Sequence, residues 1–530
     1  MRATWLAGLI ATTAVLALPG APAVAEENAD QQFGTVHFAT SCNETAQRRF
    51  DRAMRYQHSF WYKASREIYE ETLKADPECG IAYWGIALSL WNNPHFPPPA
   101  PNLAPALAAI EKGKAVGAKS ERERDYINAL AVLYTDYDKV EYRTRLQAYL
   151  KAMEALAAKY PDDEEAQIYY AITLNVSASP GDKTYAQQLK GAAILEPIFK
   201  RQPHHPGVAH YLIHLYDYPP IAEKGLGAAE RYAAIAPAAP HAQHMPSHIF
   251  TRVGFWKESI AANIASANAA KADKEGIDQL HAMDYMVYAY LQLGRDREAR
   301  GVIDEMLQPA NTSTDVFGGS FALAASPARY AIERGDWKTA AALDVRQSKF
   351  PAVMAITYFA RALGAARSGN PEAAKADIAK LTELRDKLRE AKDAYWADQV
   401  DIQRQIANAW VLNAEGKHDE ALAAMKAAAE AEDKTEKAPV TPGPLAPARE
   451  LYGDMLLERG MTKEALAAYQ ATMAKEPNRF NGFVGAAKAA VLLGDKATAK
   501  ADYEKLIALT ADSNSDRPAL AAARAYVASN

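Results

Sequence analysis

With only two cysteines, Cys42 and Cys79, in 530 residues, the chain cannot build a thiolate-rich zinc or iron–sulfur site, and their spacing is not that of a CxxC redox motif. Neither sign of charge is in excess: 60 lysines and arginines against 65 aspartates and glutamates leave a formal net charge of −5 and a pI near 6.2. A basic stripe able to neutralise phosphates is missing, which argues against a nucleic-acid partner. Beyond the N-terminus no segment approaches the run of about 18 apolar residues that a membrane span needs. Sustained alternation of β-branched residues is also missing, so strands are not expected. The phosphate-cradling GxxxxGK[ST] loop, a GxGxxG after a strand and the GxSxG nucleophile elbow do not occur. Nucleotide-dependent and serine-hydrolase chemistry therefore has no support.

What is present is 49% hydrophobic side chains, ample for a large core. Residues 1–25 combine Arg2, the apolar run from Leu6 to Leu18 and Ala23-Val24-Ala25, the three parts of a secretory signal. The mature chain is expected to begin near Glu26, in the periplasm or secreted. In such an oxidising compartment Cys42 and Cys79 are expected to form one disulfide, stapling the N-terminal lead-in to the first helical pair.

Further along, helices rich in small residues are interrupted by a Gly that is followed five residues later by Ala or Ser. The pattern recurs at Gly254/Ser259, Gly294/Ala299, Gly335/Ala340, Gly369/Ala374, Gly416/Ala421, Gly460/Ala465 and Gly494/Ala499. Gly suits the left-handed position just past a helix, and the small residue lets two antiparallel helices approach closely, so each unit reads as an αα-hairpin. The last two breaks are 34 residues apart, and both Tyr62 to Pro77 and Ala465 to Pro477 close on an acidic residue followed by Pro. In these features the chain resembles the tetratricopeptide-repeat (TPR) family, with longer spacings of 40 to 47 residues in the middle. The resemblance implies an all-α, TPR-like solenoid of helical hairpins, a right-handed superhelix with a concave groove for a peptide or small-molecule ligand. The Pro-rich stretches Asn92 to Pro105 and Lys434 to Pro447 break the pattern and are not expected to be helical. The first is a candidate lid. The second reads as a linker, dividing a superhelix of residues 26–433 from a C-terminal TPR pair, 448–530.

Six of the twelve histidines lie between His205 and His248. His210/His214 and His244/His248 are each four residues apart, a spacing that stacks two imidazoles on one helical face. Both pairs are also separated by 34 residues, one repeat, so they occupy equivalent positions on successive helices. In a solenoid such helices are neighbours, and four imidazoles are expected to converge on one transition-metal ion, with zinc or copper best suited to the donor set. Counting back from Gly254 and Gly294 places His281 opposite His241 and Asp284 opposite His244, which adds His241, His281 and Asp284 as candidate ligands. Carried onto this sequence, the groove-lining positions of a TPR first helix fall on His241, His244, His248, Thr251 and Arg252. Neither pair is HExxH, so Asp217, one turn past His214, is the candidate orienter or base, with a helix cap as its alternative role. Arg252 is the candidate for an anionic substrate group or a salt bridge. His37, His58, His95 and His418 read as ordinary core or surface histidines; His204 and His205 beside Pro206 read as helix caps, which is also the alternative role of His241 beside Pro240. The aromatics of His58 to Tyr62 and Ala82 to Trp91 read as core.

The blocks HSFWY, AYWGIALSLW, PHHPGVAHYLIHLYDYP and HAQHMPSHIFTRVG together resemble a group of exported bacterial TPR proteins with the same His-rich segments. That resemblance implies architecture and no activity. The residues themselves point to a groove that binds a transition-metal ion, for catalysis or for metal handling. Two alternatives stay open: a metal-free scaffold for a peptide or protein partner, and a metal-free enzyme using a carboxylate-held histidine as base.

Overall fold

The computed structural model describes residues 31–179, 181–272, 275–308 and 316–529. Residues 1–25, expected as a secretory signal, lie outside the described residues. Every regular element among the described residues is helical, and successive helices pair as antiparallel hairpins in a TPR-like solenoid. None of these helices is long and apolar enough to cross a membrane.

The hairpin turns follow from the Gly and small-residue pattern. Each of the seven glycines has a positive φ, between 62° and 84°, the region a side chain disfavours. Each small partner from Ser259 to Ala499 is 0% exposed, as close contact between two helices requires. A second packing rule joins the two ends of the chain. Tyr69 lies on Gly85 and Tyr469 on Gly485, and a Cβ at either glycine would come within 2.5 and 2.2 Å of the tyrosine ring. Cys42 and Cys79 are joined by a disulfide, which anchors the lead-in against the start of the Gly80–Trp91 helix.

The two Pro-rich stretches differ from expectation in informative ways. Residues 92–99 form a loop, but Ala100–Val116 is helical although it contains Pro101 and Pro105. Pro101 is tolerated because the N–H it lacks has no partner in the first turn in any case, whereas Pro105 lies inside the helix. The 434–447 stretch is non-helical as expected and joins the flanking helices. It does not run over the surface. Val440, Thr441, Leu445 and Ala446 are buried, and the backbone carbonyls of Pro439, Thr441, Gly443 and Pro444 accept hydrogen bonds from Tyr285 or Arg329.

This burial is possible because the solenoid closes on itself. The C-terminal repeats dock on the turns at Gly254 and Gly294, where Trp256 donates to the Asn478 carbonyl (2.7 Å) and Ser513 to the Gly294 carbonyl (2.7 Å). From the other side Lys183 and Tyr185 reach Glu436. An ionic link also crosses the closure, from Arg479 to Glu333, with Glu450 holding Arg479 from within the C-terminal repeats. Arg479 is wholly buried, bonds Glu450 through two nitrogens and Glu333 through one, and donates to Tyr288 (2.8 Å).

Removing one member of such a buried group leaves charge uncompensated. Arg479→Met is therefore expected to lower unfolding stability by about 3–5 kcal/mol, read as a fall in the urea midpoint with helicity retained in dilute buffer. An unchanged midpoint would show that the C-terminal repeats are held by apolar contact alone.

Candidate metal centre

Three successive helical stretches carry the histidines. Pro206–Tyr216 presents His210 and His214. Pro240–His244 and Pro246–Arg252, joined through a helical Met245, present His241, His244 and His248. Gly276–Gln292 presents His281. Pro206, Pro240 and Pro246 each stand at a helix start, where the fixed φ of Pro helps set the first turn.

The four paired imidazoles do not meet at a single point, as expected from the sequence, but sort into two triads. His210 and His214 are completed by His241, and His244 and His248 by His281; within each triad the nitrogens lie within 4.8 Å of one another. The Nε2 atoms of His214 and His241 are each 3.1 Å from that of His210, and those of His244 and His248 are 3.0 Å apart. The triads are neighbours, with the rings of His214 and His248 at 6.1 Å and those of His241 and His244 at 6.3 Å. Neighbouring repeats are offset by the superhelical rotation, so each pair meets the leading histidine of the next repeat before it meets the next pair.

Second partners decide what those nitrogens are. The Nδ1 of His210 faces the His58 carbonyl at 2.7 Å. The Nδ1 of His244 faces Asn263 Oδ1 at 2.6 Å, and the Asn263 amide is oriented by donating its own N–H to the Ser259 carbonyl. The Nδ1 of His248 faces Asp217 Oδ2 at 2.9 Å. All three partners are acceptors, so all three Nδ1 atoms carry the proton and the Nε2 atoms hold lone pairs. Two lone pairs then face each other between His244 and His248. Adding a proton there is opposed: burial lowers the pKa of every imidazole in both triads, and the neighbouring imidazoles lower most of them further. His210 and His281 fall to about 3.

Asp217 is buried at the end of the Pro206–Tyr216 helix, and the histidine it meets is His248 of the next repeat, not its helical neighbour His214. It accepts from His248, from Arg252 Nε (2.8 Å) and from Lys437 Nζ (3.0 Å). Burial alone would raise its pKa, but the Lys437 and Arg252 cations outweigh this and hold it well below the usual carboxylate range. Burial in turn pushes the Lys437 ammonium down to about 8. Of the two roles considered for Arg252, the structure shows the salt bridge. Asp284, expected as a further ligand, is engaged elsewhere: it accepts from Ser326 (3.0 Å) and lies 3.8 Å from Arg329, both on the first helix of the next hairpin, Phe317–Glu333. One turn beyond His281, it faces the neighbouring repeat.

Some residues of the centre were read differently from sequence. His95, on the loop before Ala100–Val116, places its ring 4.3 Å from that of His214. Its Nε2 is buried without a hydrogen-bond partner among the described residues, and burial lowers it to about 4. Phe60 packs on the first triad, 4.3 Å from His210 and 5.3 Å from His241, with a left-handed φ of 58°. A non-glycine residue seldom takes that φ. Tyr285 covers the second triad, 4.7 Å from His244. His95 lies in the stretch marked as a candidate lid and Phe60 in the turn after Glu44–His58, but no local signal says that either ring reaches the triads, because that depends on how distant helices pack. His58 is buried, as its core reading implies, and with Glu165 and His205 forms a third cluster. Each Glu165 oxygen takes one histidine, at 3.1 and 2.7 Å, His58 Nδ1 meets the Tyr211 hydroxyl, and His205 Nδ1 caps Val208 N–H. This cluster is satisfied internally and serves to hold the His58 carbonyl against His210. His37 and His418 are bonded to Asp51 and Asn413.

No family model and no curated protein matches the chain. Among solved structures it is similar to yeast Tom70, at 14% identity and a TM-score of 0.28, over 90% of this chain and 88% of that one. It is similar to Naa15/Naa10 bound to HypK-THB, at 14% identity and a TM-score of 0.23, over 88% and 75% of the chains. A third likeness is to the APC/C hetero-tetramer Cut9–Hcn1, at 11% identity and a TM-score of 0.30, over 91% and 95%. The description of this chain as a helical-hairpin solenoid rests on its own turns and helix pairing.

Proposed function

We propose that the chain binds two transition-metal ions side by side, one in each histidine triad, and that copper or zinc is the natural occupant. The observation that carries this reading is the pair of Nε2 lone pairs on His244 and His248, facing each other at 3.0 Å with both Nδ1 protons committed. A cation answers that repulsion where a proton is disfavoured. Neutral imidazoles without thiolate suit copper and zinc, and three histidines leave a coordination position for water or substrate. A bound ion with an open position can activate water or polarise a carbonyl. Asp217, Asn263 and the His58 carbonyl play the part that outer partners play in metal sites, setting ring tautomer and orientation. The disulfide and the signal-like N-terminus support a periplasmic or secreted setting. A metal-free scaffold would have to take its partner peptide where the chain's own 434–447 segment now lies. That burial favours the metal reading.

The first test is elemental analysis of tag-free protein loaded with zinc or copper. Two equivalents are expected, falling to one in His210→Ala/His214→Ala/His241→Ala and to one in His244→Ala/His248→Ala/His281→Ala, with helicity checked by circular dichroism. A single equivalent abolished by either variant would replace two centres with one shared centre. No metal after loading with zinc, copper, nickel or iron would overturn the proposal.

The metal-free protein should also be acid-sensitive. Folding holds His210, His214, His244 and His248 neutral below the ordinary imidazole pKa, so unfolding takes up protons and stability falls as pH drops below about 6.5. Each such group contributes up to about 1.4 kcal/mol per pH unit between its unfolded and folded pKa. Urea midpoints from pH 7 to 5 should fall steeply in wild type and less steeply in either triple variant; a flat profile would mean that these imidazoles are not buried as described.

A further inference from the structure

A set of unmet polar groups lines a cavity beside the Asp217 ion cluster. The cavity opens to solvent, with about 80 Å³ available to the centres of water-sized molecules. Arg252 and Lys437 form part of its wall, and both are spent on Asp217. The Ala394–Ala414 helix supplies Tyr395, Trp396, Gln399 and Gln403, and the 434–447 segment supplies Glu436. Three of these residues carry a buried atom with no hydrogen-bond partner among the described residues: Gln399 Nε2, Gln403 Oε1 and Glu436 Oε2. The other Glu436 oxygen is fully used, by Lys183 Nζ (2.6 Å) and the Tyr185 hydroxyl (2.8 Å). Unmet buried polar atoms are rare in folded proteins, and three around one cavity mark a place where a ligand completes the set.

The chemistry of the set indicates what would complete it. Two of the three atoms are acceptors, and one belongs to a carboxylate. Burial would raise the Glu436 pKa, but Arg252 and Lys183 hold it below its ordinary value, so the group is anionic. Beside it, Tyr395 and Trp396 meet edge to face at 5.1 Å, with Phe321 5.7 Å from Trp396. Aromatic faces next to a carboxylate favour a cation carried on an apolar body. We propose that this cavity binds a small organic amine, its ammonium donating to Glu436 and Gln403 and its apolar body lying against Trp396 and Phe321. The remaining donor, Gln399, suits a hydroxyl or carbonyl on the same molecule. This site is independent of the triads, and nothing in its argument requires a metal.

Phenethylamine is a suitable probe, followed by calorimetry and tryptophan fluorescence on the full chain, with phenylacetate as the anion of similar shape. The amine is expected to bind at least about tenfold more tightly than the anion, as a charge-assisted hydrogen bond to a buried carboxylate implies. Glu436→Gln should weaken it by about tenfold or more, and Gln403→Leu should weaken it as well. Both variants should keep the helicity and urea midpoint of wild type, which separates loss of the ligand contact from loosening of the segment. Equal affinity for amine and anion, no binding at millimolar probe, or indifference to both Glu436→Gln and Gln403→Leu would overturn the proposal. Failure of metal loading in the triple variants would leave this result untouched, so the two readings can be told apart.

Discussion

A buried carboxylate must have its charge answered, and much of this structure is arranged around the answer given to Asp217. Its oxygens take His248, Arg252 and Lys437, which come from one helix and from the 434–447 segment. One group thereby sets the tautomer of a triad histidine, holds the end of the Pro246–Arg252 helix and pins the segment that fills the hollow. Removing the charge would leave two buried cations without a partner and His248 without its orienting acceptor. Such a hub costs desolvation energy that apolar packing would avoid. What it supplies in return is a fixed orientation for His248.

The arrangement of the triads is a consequence of repetition with rotation. Equivalent residues on successive hairpins are brought side by side, so a four-residue histidine pair in one repeat is followed by another in the next. The rotation between repeats prevents the two pairs from meeting squarely. Each pair is instead completed by a histidine at the leading edge of the neighbouring helix, His241 or His281. Two small centres result, where equivalence by itself would suggest one large one.

Closure of the solenoid determines access. The C-terminal repeats dock on the turns at Gly254 and Gly294, Arg479 ties them to Glu333 and Glu450, and the 434–447 segment is held inside. This segment separates two environments. On one side are the neutral imidazoles with their aromatic covers, Phe60 and Tyr285. On the other is the cavity of Gln399, Gln403 and Glu436. Asp217 and its two cations stand between them.

What the sequence determined by itself is what depends on local spacing. The seven glycine turns and their small partners are legible because a left-handed φ and a close helix contact each demand a particular residue type at one position. The two histidine pairs are legible because a four-residue spacing fixes a shared helical face whatever the rest of the chain does. Asp217 is singled out by its place one turn beyond His214, but the histidine it holds is His248 of the next repeat, a partner that spacing does not name. Only the tertiary structure decided which histidines meet, because that depends on a rotation between repeats that no spacing records. It placed His241 and His281 in separate triads and turned Asp284 toward Arg329. It also brought His95 and Phe60 from loops onto the first triad, and buried a Pro-rich segment that composition alone marks as a linker. These outcomes depend on contacts between residues far apart in the chain, made when hairpins pack on one another and the solenoid closes.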